Sequence, residues 1–105
     1  MLTLGEQNDG QRVPAHVGDV FTLRLPENAS TGYRWAPDTY DAGSLAIVEE
    51  ASDYPNATPG SGGEAIFRFR VVRAGPSTLV MKYWRHWEGA ASIQRRFTVT
   101  VDAAA

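Results

Sequence analysis

Residues 20–25, VFTLRL, alternate strictly: Phe21, Leu23 and Leu25 fall on one face and Thr22 and Arg24 on the other. The same two-residue period runs through 64–72, EAIFRFRVV, with Ala65, Phe67, Phe69 and Val71 set against Arg68 and Arg70. In 77–84, STLVMKYW, it places Leu79, Met81 and Tyr83 against Thr78 and Lys82. In 92–101, SIQRRFTVTV, it places Ile93, Phe97, Val99 and Val101 against Gln94, Arg96, Thr98 and Thr100, with Arg95 out of step. Such alternation marks half-buried strands, because successive side chains on a strand point to opposite faces. Shorter candidates lie at 11–14, 33–35 and 45–51, and no window carries a helical period. The sequence thus predicts an all-β chain, an antiparallel β-sandwich of about seven strands in a single domain over 1–105. The final residues, DAAA, are expected to fray.

If the seven strands alternate in direction, their connections sort to two ends. Val17-Gly18-Asp19, Asp41-Ala42-Gly43 and Ala74-Gly75-Pro76 are compact turns and share one end. The connections at the other end are longer and richer in Gly, Asn, Ser, Thr and aromatic residues: 26–33, PENASTGY; 54–63, YPNATPGSGG; and 85–91, RHWEGAA. Function concentrates on loops held by a rigid scaffold, so this end is the candidate binding edge.

The tryptophans sharpen that reading. Two of the three, Trp84 and Trp87, lie within WRHWEG. Trp35, on a short strand, is expected in the core. Trp84 ends a strand and either closes the rim of the core or contacts a partner. Trp87 is in a loop, where an aromatic serves best as an interface anchor. Gly60, Gly62 and Gly63 fit either a hairpin loop or a backbone segment that a partner approaches closely. Asn28 and Gly32 suit a turn, and Tyr33 suits either packing or contact.

Composition removes whole classes of function. A net charge of −2 over 105 residues does not supply the basic footprint of a nucleic-acid binder. The absence of Cys excludes disulfides, thiolate metal sites and a cysteine nucleophile. No apolar run approaches the ~20 residues of a membrane-spanning helix. The first residues, MLTLGEQNDGQ, lack a basic stretch followed by an apolar one, so the chain as it stands reads as cytoplasmic, or as periplasmic or secreted if a signal was removed. His16 and His86 have no metal-ligand spacing. His86, Glu88 and Ser30 form a hydrolytic group only on paper, since no nucleophile elbow accompanies them. The expectation is a monomeric binding protein with no cofactor, no metal and no enzyme activity.

The three loops, in this order, resemble those of the chagasin family of cysteine-protease inhibitors, which are immunoglobulin-like sandwiches. The corresponding stretches are NASTGY (Asn28, Ala29, Ser30, Thr31, Gly32, Tyr33), GSGG (Gly60, Ser61, Gly62, Gly63) and RHW (Arg85, His86, Trp87). Ala29 and His86 stand where the family pattern has proline, which leaves both loops less pre-ordered, a loss of about 0.4–1 kcal/mol each. The resemblance implies reversible inhibition of papain-like cysteine proteases. The first loop would enter the active-site cleft with Thr31 and Gly32 closest to the catalytic pair, and the hydroxyls of Ser30 and Thr31 would be available for hydrogen bonds. The glycine loop would line one side through its backbone, and Arg85 and Trp87 would anchor the other. The alternative is a carbohydrate-binding or adhesion-type sandwich that stacks Trp87, Tyr33 and Tyr54 on sugar rings.

Overall fold

The strand that carries the clearest alternation also organises the architecture. In a computed structural model, which describes residues 2–28, 31–53 and 62–105, eight strands form two four-stranded sheets. In chain order they are β1 (Leu2–Leu4), β2 (Arg12–His16), β3 (Val20–Glu27), β4 (Arg34–Thr39), β5 (Leu45–Asp53), β6 (Gly63–Val71), β7 (Gly75–Trp84) and β8 (Arg95–Ala104). One sheet has the order β1-β3-β6-β5 and the other β2-β8-β7-β4.

The inward positions of β3 and β6 pair directly, Phe21 with Phe69, Leu23 with Phe67 and Leu25 with Ala65. Phe21 and Phe69 stack at a centroid distance of 5.4 Å. The other sheet contributes Leu79 and Met81 from β7, Phe97, Val99 and Val101 from β8, and Trp35 from β4; all are buried. These two inner faces form one continuous core, as the period-two pattern requires.

Four features depart from the sequence reading. β1 was not expected; three residues are too short to show a period, yet Leu4 is buried and β1 runs parallel to β3. β2 also pairs in parallel, with β8, so the sandwich is antiparallel in its hairpins but not at two of its edges. The tail does not fray as far as Ala104, because Ala103 and Ala104 pair with Ala15 and His16 and Ala103 is buried. The last strand starts at Arg95 and not at Ser92, since Ala90–Ser92 forms a 3-10 turn. That start accounts for Arg95: it shares the inward parity of Phe97 but sits at the mouth of the core, over the Trp35 ring at 5.7 Å and paired with Glu6 at 2.8 Å.

The three compact turns meet at one end as expected. The Gly18 amide donates to the Val71 carbonyl at 2.8 Å, and the Val72 amide to the Ser44 carbonyl at 2.8 Å. Each sheet edge is blunted against pairing with another chain. β1 has three residues, β2 carries Pro14, β4 carries Pro37 with a bulge after it, and β5 is interrupted between Ile47 and Glu49.

Candidate functional site

The strand pairings decide how the opposite end is built. Glu27, the last residue of β3, pairs with Gly63, the first of β6. Arg34, the first residue of β4, pairs with Trp84, the last of β7. The 28–33 connection leaves one sheet and enters the other, whereas the 54–62 and 85–94 connections each close a hairpin within a single sheet. The inter-sheet loop, the central loop of the three by this pairing, therefore starts beside the end of one hairpin connection and finishes beside the start of the other.

Of the residues expected at this site, Asn28, Thr31, Gly32, Tyr33, Gly62, Gly63, Arg85, His86 and Trp87 are described. Ala29, Ser30, Gly60 and Ser61, together with Tyr54, lie outside the described residues. The described part of the central loop is tied to itself and to the core. The Thr31 amide and hydroxyl both donate to the Asn28 carbonyl, at 3.2 and 2.8 Å. The Asn28 amide donates to the Tyr83 hydroxyl oxygen at 3.2 Å. Gly32 adopts φ +81°, a left-handed backbone that favours glycine. A Cβ there would stand 2.7 Å from Cη2 of Trp87, so the indole covers the one position where no side chain projects.

The third loop forms two short 3-10 turns, His86–Glu88 and Ala90–Ser92. Ser92 holds its base: the Arg85 amide donates to Ser92 Oγ at 3.0 Å, and that hydroxyl lies 2.9 Å from the Arg85 carbonyl and 2.7 Å from that of Gly89. Trp87 is 62% exposed, and the His86 ring meets it edge-on at 5.1 Å. Glu88 pairs with Arg85 at 3.3 Å, so its carboxylate is committed to the guanidinium and not to His86.

The first and third loops are joined. Nε and Nη2 of Arg85 both donate to the Thr31 carbonyl, at 3.1 and 2.9 Å. The same guanidinium lies over the Tyr33 ring at 4.4 Å. Tyr33 packs on Tyr83 at 5.5 Å, and Tyr83 on Trp35 at 5.0 Å. A column of rings thus runs from the core to Tyr33, where the loop enters β4, each contact of the tilted kind that aromatic quadrupoles favour. Tyr33 belongs to this column and is partly buried in it, between Tyr83 and the Arg85 guanidinium.

Trp84 does not close the rim of the core. It has the outward parity of Val80 and Lys82, and the Lys82 ammonium caps its ring at 3.7 Å. Glu27 was missed. Its carboxylate is buried, accepts the Trp35 amide at 3.0 Å and pairs with Arg34 Nε at 3.2 Å, so it fixes the point where β4 begins. The sequence signal was its parity, since Glu27 follows Phe21, Leu23 and Leu25 on the inward side of β3. Tyr83 and Ser92 gave no signal of these roles: the Tyr83 partners Asn28, Tyr33 and Trp35 are distant in sequence, and Ser92 bonds nearby backbone groups of Arg85 and Gly89 that no residue pattern marks.

A two-sheet sandwich with an inter-sheet loop and two hairpin loops directed to one end matches a known family. Residues 14–101 match the family model described as Chagasin family peptidase inhibitor I42, and the chain belongs to this family. It is 29% identical to chagasin from Trypanosoma cruzi over 104 residues, covering 91% of this chain and 92% of that protein. It is 26% identical over 101 residues to amoebiasin-1 from Entamoeba histolytica, covering 96% of this chain and 98% of that one. In fold it matches the cysteine protease inhibitor EhICP2 from Entamoeba histolytica with a TM-score of 0.84 at 20% identity, covering 98% of this chain and 94% of that one.

Proposed function

We propose that this protein is a reversible inhibitor of papain-like cysteine proteases that blocks the active-site cleft with three loops at one end of the sandwich. Family membership carries the activity, and the family's members are inhibitors, not enzymes. The central position of residues 28–33 supports the use of that loop as the wedge. In this reading Asn28, Ala29, Ser30, Thr31, Gly32 and Tyr33 form the element that enters the cleft. Gly60, Ser61, Gly62 and Gly63 run along one side, where backbone amides and carbonyls pair with the protease main chain. The 85–87 loop forms the other side, with His86 and Trp87 toward the protease, Trp87 as the anchor, and Arg85 at the base of the loop.

The chemistry is that of a ligand that fits without reacting. Cleavage requires a carbonyl held in near-attack geometry and able to distort with the reaction. A loop pinned by Thr31, Arg85 and the Tyr83 hydroxyl resists that distortion. A scaffold that loses little freedom on binding gives high affinity from a modest contact area. The saccharide-binding alternative is disfavoured, since it needs Tyr33 to offer a free face, and that ring is packed on Tyr83 and lies under Arg85.

Titration of active-site-calibrated papain against the protein, with a fluorogenic peptide as reporter, tests the reading. The expected result is 1:1 inhibition, recovery of activity on dilution, and inhibitor of unchanged mass. Full papain activity in excess protein, repeated with cathepsin-like enzymes, would overturn it.

A further inference from the structure

We infer that Arg85 is a positioning residue that locks the central loop to the third loop, so that the two meet a protease as one preassembled unit. The inference rests on the inhibitory reading and deepens it.

The observations are geometric. Two guanidinium nitrogens converge on a single backbone oxygen, that of Thr31, at 3.1 and 2.9 Å. A third faces Glu88 at 3.3 Å, and the guanidinium plane rests on Tyr33 at 4.4 Å. Each of the three guanidinium nitrogens thus has a partner within the chain, and the side chain is 34% exposed. A group so committed has little to offer a partner without first releasing the loop it holds. Its neighbour Trp87 is the reverse case: the tip of its ring covers Gly32 while the residue as a whole remains 62% exposed. Arg85 thus acts from behind, and Trp87 acts at the surface.

The brace also answers the loss of two prolines. With Ala29 and His86 in the loops, the backbone lacks the fixed φ that would limit its unbound conformations. Arg85 restrains the first loop by tertiary contacts instead, at the residue next to Gly32. Arginine suits this task because a planar fork can make two bonds to one oxygen and stack at the same time. Lysine can give that oxygen only one bond and has no plane to stack.

The test compares wild type, Arg85→Lys and Arg85→Ala, each shown to be folded by its melting curve. In the free proteins, amide hydrogen exchange at residues 31–33 reads the brace directly. It should be slow in wild type, intermediate in Arg85→Lys and fast in Arg85→Ala. With papain, dissociation should quicken roughly tenfold or more in Arg85→Ala, with a smaller change in association, as expected when an ordering cost moves into binding. The mobile loop should also be cut between residues 28 and 33 during prolonged incubation, which intact mass would show, whereas wild type stays whole.

Weaker inhibition by Arg85→Ala with unchanged exchange and an uncut loop would mean that Arg85 contacts the protease directly, and would overturn the inference. So would equal dissociation rates for all three proteins. If wild type itself left papain active, the inhibitory reading would fall, and exchange in the free proteins would still decide whether the brace exists.

Discussion

Trp35 and Trp87 show how the same side chain takes opposite tasks according to where its polar atom and its rings end up. Trp35 is 5% exposed and its indole N–H donates to the Pro26 carbonyl at 2.7 Å, so removing it leaves both a void and an unpaired acceptor. Trp35→Ala should cost about 3–5 kcal/mol of stability, seen as a lower melting temperature. Trp87→Ala should leave melting nearly unchanged and weaken inhibition of papain by at least ~2 kcal/mol. Equal inhibition constants for wild type and Trp87→Ala would remove the anchor. Gly32 tests the contact between the two loops at the level of one methyl group. An alanine there meets a left-handed backbone, a cost of roughly 1–2 kcal/mol, and also pushes against the indole. Only the second part depends on Trp87. The penalty of Gly32→Ala, read from denaturant midpoints, should therefore be smaller in a Trp87→Ala background, and identical penalties in both backgrounds would show that the indole does not press on this position.

Elements were legible in proportion to how much of their stabilisation is periodic. β3, β6 and β7 announce themselves because each carries three or more inward apolar residues at alternate positions. β1 does not, since it is held by pairing with β3 and by one buried leucine. The extension of β8 to Ala104 was hidden because alanines carry no pattern; its cause lies at the other end of the chain, in β2. Loop chemistry was legible as composition, whereas the bonds that tie one loop to another join residues far apart, as Arg85 joins Thr31. Turns at the plain end are local and follow their own side chains. Asp41 accepts the Gly43 amide at 2.8 Å and the Ser44 hydroxyl at 3.1 Å, with Arg73 at 3.6 Å. The Gly43 amide, then the Ser44 hydroxyl and, more weakly, Arg73 hold its carboxyl below the usual carboxylate range. A depressed folded value stabilises the fold above the unfolded value, and that contribution is lost as pH falls through the folded one. Asp41→Ala should therefore melt lower than wild type at neutral pH, with the gap closing in acid. A gap independent of pH would assign the effect to the turn's backbone alone.

At the scale of the molecule, the two ends of the sandwich are built differently. Backbone bonds knit the compact turns together at one end, while the other carries the exposed Trp87 and the inter-sheet loop. The blunted sheet edges keep the chain from joining its own copies, so the protein should sediment as a monomer and bind through its loop end alone. That geometry makes a definite statement about where a protease would be covered. In the proposed binding mode the inter-sheet loop, which starts beside one hairpin and ends beside the other, stands over what lies between the cleft walls that the hairpin loops rest on. In a papain-like enzyme this is the catalytic cysteine with its histidine. A saturated complex should therefore protect that cysteine from a small alkylating reagent such as iodoacetamide, and protection should disappear in step with occupancy as the complex is diluted. A protein docked on one wall, or at a distant surface, could hinder a peptide substrate and still admit so small a reagent. Alkylation at the rate of the free enzyme under full occupancy would thus reject the wedge while leaving inhibition itself intact. Full protection by wild type, with faster labelling in Arg85→Ala at equal occupancy, would place the loop over the cysteine and show that its position there depends on the brace.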